Sequence, residues 1–185
     1  MRNISASLTE KQILDSIERI RRGEPSVKDV TRRLGWEYLK VGERLQVCRK
    51  CMGRKPGEPL VKLAVIEVVS VGRERLSALR QPYYGTDECR REGFPDLSPK
   101  EFINFFCRTH KGCVSSTPVT RIEFKYILPC SFGIAIKGRG CPQPAAWSST
   151  FNGQHSGMYW CAEHATDLSD GLKTPGHDLV KIYQP

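Results

Sequence analysis

The chain has 185 residues, of which 39% are hydrophobic and 26% charged, and this composition excludes an intrinsically disordered or membrane-bound protein. No apolar run approaches the roughly 20 residues that a bilayer-spanning helix needs, and residues 1–10 lack the apolar core of a secretory signal. The sequence therefore predicts a cytoplasmic protein with no membrane partner, whose eight cysteines are thiols or metal ligands rather than disulfides.

Charge is distributed unevenly along the chain. The net charge is +9, and residues 1–128 hold 25 Lys and Arg against 16 Asp and Glu, whereas residues 129–185 hold four of each. A basic surface of this kind favours a polyanion, usually nucleic acid, although solubility alone is an alternative explanation. Composition also changes at Pro129, which predicts a first domain over 1–128 and a small module over 129–185.

The first third of the chain predicts a strand, a helix and an extended segment. A short strand is predicted over residues 3–9, and apolar residues at helical spacing predict a helix over 9–22. Gly23 marks the end of that helix, and an extended basic segment follows over 26–36.

The remainder of the first part predicts three strands and a second helix. The helix is expected over 97–106, capped by Ser98, whereas 75–91 is expected to be irregular because Pro82 and Gly85 interrupt it. Strands interrupted by two helices predict an α+β fold built as a small mixed barrel. The three strands are 44–50, 62–76 and 119–128.

The basic segment 26–33 reads Ser-Val-Lys-Asp-Val-Thr-Arg-Arg and concentrates an amine, a hydroxyl and guanidinium groups. Lys28 and Thr31 are three positions apart, so a bend has to bring them together. A lysine removed from water beside an arginine has a lowered pKa and serves as a base or a nucleophile. The alternative is a solvated basic stretch that follows a helix.

This segment and four later ones resemble the ASCH family, which consists of small β-barrels related to the PUA domain. The family motif Gly-x-Lys-x-x-Thr-x-Arg is matched by Ser26, Lys28, Thr31 and Arg33, with Ser in place of Gly. The resemblance covers residues 3–128 and implies a PUA-like α+β barrel that binds RNA or a modified nucleoside. The other similar segments are 39–47, 62–71, 92–106 and 119–127.

One branch of the ASCH family hydrolyses the acetyl amide of 4-acetylcytidine with a Lys, a Thr and a Glu, which match Lys28, Thr31 and Glu92. The resemblance implies that Lys28 and Thr31 supply nucleophile and base between them, that Glu92 moves protons, and that no cofactor is required. A role of Glu92 as an exposed partner of a neighbouring arginine stays open. The predicted ligand-binding residues are Ser26, Arg32, Arg33, Trp36 and Phe94.

Whether the chain is an enzyme is left open by the sequence. The amidohydrolase hypothesis competes with a non-catalytic RNA-binding or regulatory module and with a single-strand ribonuclease, because other ASCH proteins resemble those classes.

The last part of the chain has the spacing of a structural zinc site. Cys161 and His164 are separated by two residues, and the segments around Cys141 and Cys161 resemble small zinc modules. Cys130 completes the predicted set, with His155 as the alternative ligand. A second metal site, formed by Cys48 and Cys51 with Cys107, His110 and Cys113, is a weaker alternative.

Overall fold

The computed structural model describes residues 1–128, 145, 147–151, 154–160 and 177–181. The chain divides into two compact units. The first contains Met1–Ile13 and Val27–Lys125, and the second contains Leu14–Ser26 and the described residues from Tyr126 onward. The domain boundary expected at Pro129 stays a prediction, because Pro129 lies outside the described residues.

The first unit is built on a five-stranded mixed sheet: β1 (Arg2–Ser5), β2 (Val30–Arg33), β3 (Arg44–Cys48), β4 (Lys62–Arg75) and β5 (Pro118–Ile127). The strand order is β1-β3-β4-β5-β2. β1 is parallel to β3, whereas the β3–β4 and β2–β5 pairs are antiparallel. The sheet forms a half-barrel with β1 and β2 at its edges, which confirms the predicted α+β class.

Alternation along β5 shows how the sequence determines the inner face of this sheet. Thr120, Ile122 and Phe124 are buried, while Arg121 and Glu123 between them are partly exposed. Because the side-chain period of a strand is two, one face packs into the core and the other meets water. Other strands bury Val30, Leu45, Val47, Ile66 and Val68.

Helix α3 (Pro99–Thr109) begins with the capping residues that favour a helix start. The Ser98 side chain accepts from the Glu101 N–H and the Glu101 side chain accepts from the Ser98 N–H, so both halves of a capping box are present. Pro99 occupies the first turn, where its missing N–H costs no hydrogen bond. The predicted second helix and its cap are confirmed.

The expectation of an irregular segment at 75–91 is wrong. A short 3-10 helix (Leu76–Arg80) and an α-helix α2 (Tyr84–Arg91) occupy it. Gly85 does not break α2. It lies in the first turn, where an added Cβ would overlap the Leu79 carbonyl oxygen. The glycine therefore allows close packing of the two helices, and these elements bury one apolar cluster with α3 and β5: Leu76, Leu79, Cys89, Phe102, Ile103, Phe106 and Val119.

The second unit contains most of helix α1 (Glu10–Arg21), which confirms the helix predicted over 9–22. It also contains a three-stranded sheet of β6 (Trp147–Phe151), β7 (Gln154–Trp160) and β8 (His177–Lys181). The order is β7-β6-β8, and both pairs are antiparallel. Within the described ranges, no helix is long and apolar enough to cross a membrane.

Candidate functional site

Lys28 precedes β2, and its ammonium group is buried against a carboxylate. Its Nζ donates to Glu92 Oε2 at 2.8 Å, to the Glu92 carbonyl at 2.9 Å and to the Val30 carbonyl at 2.6 Å. Burial lowers the pKa of Lys28, while the charge and hydrogen bond of Glu92 oppose that shift. Because all three ammonium protons are engaged, Lys28 acts as a positive charge that orients Glu92.

The alternative that Glu92 is an exposed partner of a neighbouring arginine is wrong. Arg90 pairs with Asp87 at 2.8 Å, and Arg91 pairs with Asp29 at 2.8 Å. Glu92 is turned inward because it ends α2 and is followed by Gly93, whose φ is +87°. The left-handed backbone at Gly93, favourable for glycine, fixes the direction in which the chain leaves Glu92.

Arg32 lies fully buried on β2 among three carboxylates. It donates to Glu74 at 2.7 Å, to Glu88 at 2.6 Å and to Glu92 at 3.3 Å, and also to the Tyr84 hydroxyl at 3.2 Å. Burial alone would lower its pKa, but the charges of the three glutamates outweigh burial and raise it. These bonds make Arg32 a structural centre, so its contact with a ligand stays a prediction.

Glu88, on α2, connects Arg32 on β2 to Arg121 on β5. Its carboxylate also accepts from Arg121 Nε at 2.7 Å and from Arg121 Nη2 at 2.8 Å. Burial acts to raise the pKa of Glu88, but the hydrogen bonds of Arg121 and the charge of Arg32 lower it overall. Strand β2, strand β5 and helix α2 are therefore joined by one buried ionic network around Glu92.

A cavity of about 520 Å³ opens beside this network. Thr31, Arg32, Arg33, Glu92 and Phe94 line it. A smaller neighbouring cavity is lined by Lys28, Thr31 and Arg33. The structure thus brings Lys28, Thr31 and Glu92 to one region, with Thr31 and Glu92 on the main cavity and Lys28 behind Glu92. The remaining walls come from Ser5–Thr9, Lys50, Met52, Phe102, Phe105, Phe106, Thr109 and His110.

Arg33 lines the cavity with an incompletely bonded guanidinium group. Its Nη2 donates to the Ser5 carbonyl at 2.6 Å, which links edge strands β2 and β1. Its Nε is buried and has no hydrogen-bond partner in the described part of the chain. Burial lowers the pKa of Arg33, and the charge of Glu92 only partly opposes this. Arg33 is therefore a desolvated cation with an unused hydrogen-bond donor, its Nε–H.

The Thr31 hydroxyl lies between the two cavities. Thr31 is buried, and its side chain makes no hydrogen bond with any described residue. A hydroxyl in this position can donate to or accept from a ligand.

Aromatic rings form an apolar part of the cavity wall, whereas Arg33 forms a cationic part. Phe94 packs on Phe102 and Phe105 with ring centroids 5.6 Å and 5.2 Å apart. His110 stacks on Phe106 with centroids 4.1 Å apart. Phe94, Phe105 and His110 are only partly buried, so their rings present apolar surface to the cavity. The cavity combines a cationic side with an aromatic side.

Two predicted ligand residues are not among those that line the cavity. Ser26 belongs to the second unit. Trp36 follows β2 with φ +63° and carries the Arg2 guanidinium over its ring, 5.5 Å from the centroid. Their ligand contacts stay predictions.

Sequence reasoning missed the loop residues of the cavity. Ser5 ends β1, and the connections after it contain Ala6–Thr9, Lys50 and Met52, whose residues carry no periodic signal and match no motif. The last turns of α3 contain Phe105 and Thr109, and His110 follows the helix. The four-residue spacing of Phe105 and Thr109 places both on one helix face, and this spacing is the sequence signal that could have identified them.

The predicted zinc ligands Cys130, Cys141, Cys161 and His164 lie outside the described residues, so structural zinc stays a prediction. His155, the alternative ligand, lies on β7. Among the described residues, no group of three or more His, Cys, Asp or Glu is arranged to hold a metal ion. The thiols of the alternative second site form separate pairs: Cys107 lies near Cys113, and Cys48 near Cys51.

Comparison with known proteins gave two similar structures. No protein-family model and no curated protein matches the sequence. The crystal structure of an ASCH domain from Lactobacillus crispatus is 21% identical and covers 60% of this chain and 69% of its own, with a TM-score of 0.37. That of a point mutant of an ASCH protein from Zymomonas mobilis is 14% identical and covers 92% and 95%, with a TM-score of 0.35. Similarity at this level gives no information about activity.

Proposed function

We propose that the protein is an ASCH-type nucleic-acid-binding protein whose main cavity accepts one nucleotide, either free or within single-stranded RNA. The observation that carries this proposal is the Arg33 guanidinium, buried on the cavity wall with its Nε unpaired. The Thr31 hydroxyl and a set of partly buried aromatic rings line the same cavity.

A phosphate is the group that best satisfies Arg33. Lys28 and Arg32 are compensated by glutamates, whereas Arg33 has one hydrogen bond, to a carbonyl. A buried cation without an anionic partner is costly, and a guanidinium matches phosphate with paired, charge-assisted hydrogen bonds. Phosphate binding at Arg33 therefore offsets a cost that the fold carries in the free protein.

The aromatic side of the cavity suits a base. Phe94, Phe105 and His110 offer ring surface, and single-strand recognition commonly stacks bases on such rings. The volume of about 520 Å³ lies within the range of roughly 300–1,000 Å³ that is typical of small-molecule sites.

A basic loop extends the cationic surface from the cavity. Residues 49–55 contain four Lys or Arg and no acidic residue, and Lys50 of this loop lines the cavity. An RNA strand that places one nucleotide in the cavity gains contacts between its phosphate backbone and this loop. Such contacts make the binding affinity fall as the salt concentration rises. Single-stranded RNA is accordingly the proposed macromolecular partner.

Binding of a labelled single-stranded RNA, measured by fluorescence anisotropy at several salt concentrations, tests this proposal. Arg33→Gln is expected to weaken binding about tenfold or more, because a charge-assisted bond is lost. Arg80→Gln removes the same charge from an exposed residue that does not line the cavity and is expected to have little effect. Equal losses of affinity in the two variants would show that RNA binding depends only on net charge, and would refute the cavity as the nucleotide-binding site.

Hydrolysis of an acyl amide on a nucleobase, as in 4-acetylcytidine, is a second candidate function. The observation that favours it is the unbonded Thr31 hydroxyl on the same cavity as the Glu92 carboxylate. In this scheme Thr31 Oγ attacks the amide carbon, and Glu92 takes the hydroxyl proton and passes it to the leaving amine. Arg33 stabilises the oxyanion, and water then releases the acid from Thr31.

Release of acetate from 4-acetylcytidine tests the hydrolytic candidate. Thr31→Val keeps the shape of the β2 side chain and removes the hydroxyl, whereas Thr31→Ser keeps the hydroxyl. The scheme predicts turnover in the wild-type protein and in Thr31→Ser but none in Thr31→Val. Absence of turnover in the wild-type protein, or full turnover in Thr31→Val, would eliminate it and leave nucleotide binding untouched.

A further inference from the structure

Two cysteines face each other at the end of α3. The Sγ atoms of Cys107 and Cys113 are 3.3 Å apart. Cys107 belongs to α3, and Cys113 lies in the turn that follows, where its N–H donates to the His110 carbonyl at 3.0 Å. Gly112 has φ +77°, a left-handed conformation that is favourable for glycine and lets this turn bring the two thiols together.

We propose that Cys107 and Cys113 form a reversible dithiol–disulfide couple, oxidised by low-molecular-weight disulfides such as glutathione disulfide. This assignment is independent of the nucleotide proposal. A disulfide needs an S–S distance of about 2.05 Å, so the sulfurs have to approach by about 1.2 Å. Within a six-residue separation, that movement requires adjustment of one short turn and no rearrangement of the sheet.

Thiol–disulfide exchange gives a balanced reaction for this pair. Burial, reinforced by the neighbouring Cys113 thiol, raises the pKa of Cys107 to about 11, which leaves Cys113 as the attacking sulfur. The Cys113 thiolate attacks glutathione disulfide, forms a mixed disulfide and releases one glutathione. The Cys107 sulfur then displaces the second glutathione from Cys113. The two cysteines lose two electrons and two protons, and one glutathione disulfide becomes two glutathione thiols.

The position of this couple gives it a consequence for the cavity. Thr109 and His110 line the cavity and lie between the two cysteines in the chain. Their present arrangement depends on two hydrogen bonds that the Phe106 carbonyl accepts, from Thr109 Oγ1 at 2.9 Å and from His110 Nδ1 at 2.9 Å. A disulfide closes this segment covalently at both ends and fixes one rim of the cavity.

Two other described cysteines, Cys89 and Cys48, are poorer candidates. Cys89 is buried inside α2, and burial raises the pKa of its thiol to about 11. Cys48 is also buried, and its Sγ donates to the Gln46 carbonyl at 3.7 Å. Neither combines accessibility with a thiol partner as Cys113 does.

Peptide mapping of the full-length protein tests the couple. The protein is incubated with excess glutathione disulfide, blocked with N-ethylmaleimide and digested with trypsin without reduction. Trypsin cuts after Arg108 and Lys111, so the two cysteines fall on separate peptides, 101–108 and 112–121. The expected result is a covalent link between these peptides that dithiothreitol removes.

Two variants make the outcome decisive. Cys113→Ser is expected to lose the link completely, and Cys51→Ser, a change at another partly buried cysteine, is expected to retain it. Circular dichroism checks that each variant is folded. Recovery of peptides 101–108 and 112–121 as separately blocked or glutathione-modified species from folded wild-type protein would overturn the proposal. A link of either cysteine to a different partner would overturn it equally.

Discussion

Lys28 and Glu92 lie 64 positions apart in the chain, yet Lys28 Nζ is 2.8 Å from Glu92 Oε2 and the two side chains are only 2% and 5% exposed. This pair joins the start of β2 to the end of α2. Arg32 reaches the other carboxylate oxygen of Glu92 at 3.3 Å. The orientation of Glu92 in the cavity is therefore determined by two cations.

Lys28→Met is expected to destabilise the protein by about 3–5 kcal/mol, because it leaves the Glu92 charge buried without its closest partner. Lys28→Met combined with Glu92→Leu replaces both partners with apolar side chains and is expected to recover a large part of that loss. Denaturant unfolding of the two variants and the wild type provides the free energies of unfolding. A double variant no more stable than the single one would contradict the pairing.

Glu88→Gln is expected to cost about 3–5 kcal/mol of unfolding free energy, because it removes the anion shared by buried Arg32 and Arg121. The neighbouring variant Asp87→Asn breaks an exposed pair with Arg90 on the same helix and is expected to cost less than about 1 kcal/mol. Thermal and denaturant unfolding measure both. Similar losses in the two variants would mean that burial of the network contributes nothing.

Acid is expected to destabilise the protein through the same network. The pKa values of Glu88 and Glu123 are held below the ordinary value of 4.5, because bonds from arginines outweigh burial. Groups with a lowered folded-state pKa contribute stability above their unfolded pKa, and this stability is lost as pH falls through the folded value. The free energy of unfolding should therefore fall as pH drops below about 4.5, and less steeply in Glu88→Gln. A pH dependence in Glu88→Gln equal to that of the wild type would exclude Glu88 as a source of the acid destabilisation.

Gly85→Ala is expected to destabilise the protein severely, because the new Cβ would overlap the Leu79 backbone carbonyl. Gly72→Ala is the matched control, since an added Cβ at Gly72 meets no atom within 4 Å. Midpoints of thermal unfolding compare the two. A Gly85→Ala protein as stable as Gly72→Ala would show that the helices do not pack as closely as described.

Local patterns predicted those elements whose determinants are local. The alternation of β5, the capping box at Ser98 and the spacing of Ile13 and Ile17 in α1 each lie within a few residues. Pro82 and Gly85 misled the prediction of α2, because the packing that requires Gly85 is tertiary.

The candidate site was predictable only in part for the same reason. The motif identified Lys28, Thr31 and Arg33, and the resemblance added Glu92. Nothing local to residues 26–33 indicates that Arg32 is neutralised by Glu74 and Glu88, whereas Arg33 is not, because those partners are 42 and 56 positions away.

The zinc prediction can be tested without structural information on its ligands. We expect roughly one zinc per chain by elemental analysis of unchelated protein, because a short neutral segment gains stability from a metal. Cys141→Ser and Cys161→Ser should each lose the metal, whereas Cys89→Ser should retain it. A zinc-free wild-type protein, or retention in both ligand variants, would refute the predicted site.

Calorimetric titration with cytidine 5′-monophosphate and with cytidine, for the wild type and for Arg33→Gln, is the most direct test of the nucleotide cavity. We expect one binding site per chain and tighter binding of the monophosphate than of the nucleoside in the wild type. In Arg33→Gln that advantage should disappear, because the phosphate loses its partner. Equal affinities in the wild type, or an undiminished advantage in Arg33→Gln, would contradict the assignment of Arg33 as the phosphate-binding residue.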